Sequence, residues 1–304
     1  MPLMSIEPKT ITILLALSLI AAPGFSDRSD QPPAGSEDVV FVGAGDIANC
    51  ELITGARATA ALLDGIEGAV FTLGDHAYLR GTDTEFRRCY DPTWGRHKAR
   101  THPTPGNHDY LTSHGRPYFE YFGAAAGPDE KGYYSFDLGS WHIISLNSSV
   151  PANLSDQTKW LREDLAAHPV DCVLAYWHAP VFSSGPHAPD PTMREIWSTL
   201  YKAGADIVLN GHDHIYERFA PQTDKGKPDP ERGIREFIVG TGGSGVYAFG
   251  KIAANSEVRN NTTYGVLKLT LSPGRYAWEF VPMPGSQFTD TGTTACSSST
   301  VKAP

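Results

Sequence analysis

Residues 211–214, G-H-D-H, set two imidazoles one residue apart shortly after the apolar run 205–209. Four more polar fragments stand in the same chain, three after apolar runs, G-D ending at Asp46, G-D-H-A-Y from Asp75 to Tyr78 and W-H-A-P at His178, and one after T-H-P-T-P, G-N-H-D carrying Asn107, His108 and Asp109. With His212 and His214, the side chains of Asp46, Asp75, Tyr78, Asn107 and His178 offer carboxylate, phenolate, amide and imidazole donors. That set is too large for one first-row cation with an open position and suits two. A shared carboxylate can bridge cations roughly 3.5–4 Å apart, a spacing that acidifies a bound water and neutralises the charge on a phosphate. The chemistry to expect is attack of a metal-bound hydroxide on phosphorus, in line with the departing alcohol. In an extended segment alternate side chains share a face, so His212 and His214 would both enter the site while Asp213 points away. Each fragment alone reads more readily as a turn or a packed side chain, but five in one chain do not.

The elements that must position these residues are legible as apolar runs bounded by glycine. Residues 39–43, 69–73, 141–146, 173–177 and 205–209 read as buried strands. Residues 52–63, 156–167 and 192–203 carry apolar side chains at helical spacing, with Ser155 as an N-cap for the second. Strand and helix alternate through the first two thirds, whereas the end is strand-rich, at 237–239, 264–271 and 276–281. That order predicts an α/β fold with sheets packed together and helices outside. Ligands of such folds gather at the carboxyl ends of strands, where the polar fragments fall.

In this order, G-D, G-D-x-x-Y, G-N-H-D, W-H-A-P and G-H-D-H-x-Y-E-R resemble the calcineurin-like metallophosphoesterases, and more closely their purple acid phosphatase branch. Many relatives carry D-x-H in the first motif. Here Asp46 is followed by Ile47 and Ala48, and Tyr78 stands three residues after Asp75 in place of that histidine. The resemblance spans about residues 38–281 and implies a layered αββα sandwich forming one catalytic domain over 38–304. It implies Asp46, Asp75, Tyr78 and His214 on a first metal, Fe3+, and Asp75, Asn107, His178 and His212 on a second, Zn2+, Mn2+ or Fe2+. Hard phenolate and carboxylate donors suit a trivalent ion, and imidazoles suit the divalent ones. His108 is similar to the family histidine that contacts the phosphate or protonates the leaving oxygen, with Asp109 expected to orient it. His187, on the Gly/Pro/Ser loop after His178, is the second candidate for that proton, and both stay open. Plant members carry an extra N-terminal β-domain; here the first motif lies so near the leader that this domain is expected to be lacking.

The implied function is a secreted phosphatase acting on small phosphate monoesters. A phosphodiesterase or nucleotidase on the same centre is the alternative, and a non-catalytic phosphate-binding protein is a further one. Residues 11–22 are apolar, preceded by Lys9 and followed by Pro23 and Gly24, which is the pattern of an export signal. The boundaries read 1–26 signal peptide and 27–37 linker, giving a secreted, extracellular or periplasmic protein with no membrane association once the signal is removed. Four cysteines suit an oxidising compartment; of their three possible pairings, Cys50 with Cys89 and Cys172 with Cys296 is the expected one. The formal charge of −9 argues against nucleic-acid partners. His76, His97, His102, His114, His142 and His168 read as surface or packing residues, GTGGSG at 240–245 as a loop near the site, and Arg218 as a structural ion-pair partner of Glu217.

Overall fold

The computed structural model describes Met1, Pro2 and residues 37–149, 154–187 and 190–297. Nearly all of the expected signal peptide and linker therefore lies outside the described residues. The elements described below belong to one compact unit.

Chain order runs β1 (Val39–Ala44), β2 (Ala48–Asn49), α1 (Ile53–Asp64), β3 (Ala69–Leu73), β4 (Ala77–Tyr78), α2 (Asp83–Glu85), β5 (Thr101–Thr104) and α3 (Arg116–Phe122). It continues through β6 (Tyr134–Leu138), β7 (Trp141–Ser145), α4 (Leu154–Ala167), β8 (Cys172–Tyr176), α5 (Arg194–Ala203) and β9 (Ile207–Asn210). The last strands are β10 (Tyr216–Phe219), β11 (Arg235–Val239), β12 (Ser256–Asn260), β13 (Gly265–Ser272), β14 (Arg275–Pro282) and β15 (Thr291–Ala295). One sheet has the order β15-β14-β13-β1-β3-β5 and the other β12-β10-β11-β9-β8-β7-β6.

Period-two alternation builds the layers. Along β8 and into the residue after it, Cys172, Leu174 and Tyr176 join the core between the sheets, while Val173, Ala175 and Trp177 join a second core with Leu161 of α4 and Ile196, Trp197 and Leu200 of α5. Across the central interface the Phe41 ring meets Tyr176 edge-on at 5.9 Å. On the far side, α1 buries Ala56, Ala60 and Leu63 and packs against β13. The result is the expected αββα order.

Within the first sheet β1, β3 and β5 are parallel, and within the second β7, β8, β9 and β11 are parallel. Their carboxyl ends therefore open on common edges. β5 escaped sequence reading because its T-H-P-T contains Pro103, which a strand tolerates at a sheet edge, the place β5 occupies. α4 begins at Leu154, so Ser155 sits inside the first turn and not at the N-cap. The expected disulfides form, Cys50 to Cys89 and Cys172 to Cys296. Arg218 pairs with Asp290 and Glu257 and stacks on Trp278, in place of the expected Glu217. Glu217 is buried on the opposite face of β10, bonded to serines. No helix among the described residues is long and apolar enough to cross a membrane.

Candidate metal centre

Each polar fragment sits just past the carboxyl end of a parallel strand: Asp46 after β1, Asp75 after β3, Asn107 after β5, His178 after β8 and His212 after β9. Asp46, Asp75 and His212 take left-handed φ values of 60°, 53° and 70°. Such backbone is costly for non-glycine residues and persists where surrounding contacts over-determine it. Here those contacts come from the other loops. Oδ2 of Asp46 accepts the His212 amide at 2.8 Å, and Oδ1 of Asp75 accepts the His108 amide at 2.8 Å. Each carboxylate thus has one oxygen tied to a neighbouring loop and the other left for the centre. The loops approach so closely that a Cβ at Gly106 would overlap the Asp75 carboxylate, which explains the glycine of G-N-H-D.

Two groups of side chains meet at Asp75. The Tyr78 hydroxyl lies 2.8 Å from Asp46 Oδ1, 2.9 Å from Asp75 Oδ2 and 3.1 Å from His214 Nε2. On the other side, His178 Nε2 lies 3.2 Å from the same Asp75 Oδ2, 3.0 Å from Asn107 Oδ1 and 3.2 Å from His212 Nδ1. Donor atoms of Asp75, His178 and His212 all lie within 4.8 Å of one another. His178 donates its Nδ1 proton to the Leu73 carbonyl at 2.6 Å, which turns Nε2 inward in the tautomer a metal ligand needs.

The electrostatics also fit bound cations. Asp46 and Asp75 are both buried, yet no lysine or arginine stands among their described partners. Buried carboxylates require a compensating positive charge. In the protein alone, imidazolium supplies it. Burial opposes ionisation of Asp75, but His178 outweighs it and holds the carboxyl well below its usual range. Burial likewise opposes charge on His178, and Asp75 overcomes it to raise the ring to about 10. His212, buried beside that charged ring, is pushed down to about 4. Burial and then the two carboxylates raise the Tyr78 phenol well above its ordinary value. A cation is the natural replacement for those protons, and the residues fit a pair of them.

His108 and His187 flank this cluster. His108 holds its Nδ1 at 2.6 Å from the Leu79 carbonyl, its Nε2 lies 3.9 Å from Asp75 Oδ2, and its ring packs at 4.6 Å on Tyr78. The His187 ring lies 4.4 Å from that of His212. Asp109 does not orient His108. Its buried carboxylate accepts the amides of Gly106, Asp75 and His76 and bonds the His76 ring, so it clamps the second motif to the third. His76 is a packing residue, fully buried among Phe86, Tyr90, Tyr118 and Phe122. The G-H-D-H segment is a tight turn, with the Asp213 amide on the Gly211 carbonyl and the Ile215 amide on the Asp213 carbonyl. His212 and His214 still both reach the cluster, by curvature in place of extended alternation. Sequence reading missed two neighbours: Tyr247 stacks on His214 at 4.0 Å, and Ser244 Oγ lies 3.4 Å from His214 Nδ1. Both lie in or next to G-T-G-G-S-G, the loop expected to lie near the site.

The sequence matches the model of the calcineurin-like phosphoesterase family over residues 36–216. It is 34% identical over 126 residues to purple acid phosphatase 18 of Arabidopsis thaliana, covering 39% of this chain and 28% of that protein. To purple acid phosphatase 22 of the same plant it is 27% identical over 249 residues, covering 73% and 54%. The chain thus matches about half, or less, of the length of these relatives. In structure it is similar to the purple acid phosphatase PPD1 of yellow lupin, with a TM-score of 0.71 and 19% identity, covering 90% of this chain and 56% of that one.

Proposed function

Since the chain belongs to the calcineurin-like phosphoesterase family, we propose that it hydrolyses phosphate monoesters at a two-metal centre. The reading is carried by one observation: seven donors from five loops converge, and the two buried carboxylates among them have no lysine or arginine partner among the described residues. Asp46, Asp75, Tyr78 and His214 would hold Fe3+, and Asp75, Asn107, His178 and His212 would hold Zn2+, Mn2+ or Fe2+. When bound, such a pair supplies a water acidic enough to attack phosphorus at neutral pH and neutralises charge on the phosphate.

The chain's own residues do the rest. Asp75 presents one oxygen to both groups while the His108 amide holds the other. The Leu73 carbonyl keeps Nε2 of His178 facing the centre. His108, with its Nδ1 on the Leu79 carbonyl, offers Nε2 beside Asp75, where a bound phosphate would lie. His187 stands next to His212 and would give a proton to the leaving oxygen. Export into an oxidising compartment belongs to the same proposal and is supported by two disulfides.

The test is metal analysis joined to an absorption spectrum and turnover of p-nitrophenyl phosphate. Two metals per chain, a visible tyrosinate-to-iron band and loss of that band in Tyr78→Phe are expected. A single metal in a fully active protein would sink the two-metal reading. Turnover of bis(p-nitrophenyl) phosphate far above the monoester would move the function to diesters.

A further inference from the structure

Asp213, the residue between the two histidines of G-H-D-H, has no part in the chemistry above. It is fully buried. While His212 and His214 turn toward the cluster, its carboxylate projects into the loop 182–187. There Oδ1 accepts the backbone amide of His187 at 3.2 Å and the ring Nδ1 of the same residue at 2.9 Å. Oδ2 accepts the Ser183 hydroxyl, and Ser183 Oγ in turn accepts the Gly185 amide at 2.8 Å. The loop wraps the carboxylate so tightly that a Cβ on Gly185 would overlap it. Four residues on, buried Glu217 accepts the Ser184 amide at 2.8 Å and the Ser184 hydroxyl. Two buried acidic side chains, one from the turn and one from the strand after it, thus hold a loop without regular secondary structure.

A carboxylate only accepts hydrogen bonds, so Nδ1 of His187 is the donor and Nε2 is the free nitrogen. The ring is 43% exposed and sits between His212, at 4.4 Å, and Tyr247, at 5.4 Å. A half-exposed imidazole would otherwise sample several rotamers, and holding it at both backbone and ring removes that freedom before substrate arrives. His108 is held differently, by the neutral carbonyl of Leu79.

We infer that Asp213 is a positioning residue for His187, fixing its tautomer and ring plane so that Nε2 meets the phosphate ester. The inference rests on the phosphatase reading for its substrate but not for its geometry. The same segment then serves two ends: 212 and 214 address the metal centre, and 213 and 217 shape the loop that faces it.

The experiment uses the metal-replete full chain with phenyl phosphate and compares His187→Ala, Asp213→Ala, Asp213→Asn, Ser183→Ala and the double variant His187→Ala/Asp213→Ala. Each of the first two lowers kcat/KM by about 100-fold, the low end of what one positioned proton donor supplies. The double variant is no slower than His187→Ala alone. Asp213→Asn, which keeps an oxygen for the ring N–H, recovers part of the loss, and Ser183→Ala costs a few fold. Metal content stays at two per chain throughout. The Nδ1–H tautomer of His187, read by nitrogen-15 NMR of the ring, persists in Asp213→Asn and is lost in Asp213→Ala. Multiplying losses in the double variant, or metal loss that tracks activity loss in the Asp213 variants, overturns the inference and leaves Asp213 a support for the histidine turn. Should Asp213→Ala fail to fold, unchanged kcat/KM in both Asp213→Asn and Ser183→Ala overturns it equally. A wild-type chain that turns over no phosphate ester refutes the phosphatase reading instead, and the tautomer measurement still decides the positioning.

Discussion

Asp75 Oδ2 stands 2.9 Å from the Tyr78 hydroxyl and 3.2 Å from His178 Nε2, so one atom touches both halves of the donor set. That atom is free to do so because Asp75 Oδ1 is engaged by the His108 amide and the Asp75 amide by Asp109. The two histidines at the rim differ in what holds them, a carbonyl for His108 and a buried carboxylate for His187. The Nε2 of His108 lies 3.9 Å from Asp75, whereas the half-exposed His187 stands on its loop beside His212. From that placement, His187→Ala should slow phenyl phosphate, a poor leaving group, by about 10²-fold and p-nitrophenyl phosphate much less. His108→Ala should slow both by similar factors. Rates of the two variants on the two esters check this, and the opposite pattern would exchange the roles.

At the scale of elements, the joint between β7, β6 and α4 carries a histidine-carboxylate cluster. His142 of β7 bonds Asp137 of β6 at 2.8 Å through Nδ1 and Asp164 of α4 at 2.8 Å through Nε2, and its ring stacks on His168 at 4.3 Å. Burial alone would push the ring down, but the bonds to Asp164 and Asp137 outweigh it and raise His142 above its ordinary 6.5. Burial would likewise raise Asp164, yet His142 and Ser135 hold it below 3.8. A raised histidine contributes stability that is complete below 6.5 and fades as pH climbs through its folded value; a lowered aspartate contributes above 3.8 and fades in stronger acid. The joint is therefore strongest between those two values. His142→Gln should destabilise the chain more at about pH 5.5 than at about pH 8.5, as read by urea unfolding at each pH. An equal loss at both would reduce the triad to neutral packing.

For the whole molecule, the two disulfides close loops of different size, 39 residues for Cys50 to Cys89 and 124 for Cys172 to Cys296. The longer bridge ties the start of β8 in one sheet to the segment just after β15 in the other. Loop-closure entropy assigns about 4 kcal/mol to the shorter bridge and about 5 kcal/mol to the longer. Replacing Cys172 and Cys296 by serine should thus cost about 1 kcal/mol more than replacing Cys50 and Cys89, and native, unreduced protein should expose no thiol to a labelling reagent. Four reactive thiols would remove both the bridges and the support for export.

The sequence by itself determined which side chains could grip cations, because metal chemistry demands particular donor types, and it placed all but Asn107 at or just past strand ends because apolar runs stopping at glycine are readable in one dimension. It also determined the layered order, since strand-helix alternation leaves few ways to bury both faces of two sheets. Only the tertiary structure decided which oxygen of Asp75 faces both groups, that Asp109 clamps loops in place of orienting His108, and that Asp213 reaches back to His187. Those facts depend on which of several nearby donors a carboxylate meets. That choice is made by loop curvature and by close backbone approach at glycines, across separations of 26 residues between Asp213 and His187 and 33 between His76 and Asp109. Local sequence patterns carry no record of such distances.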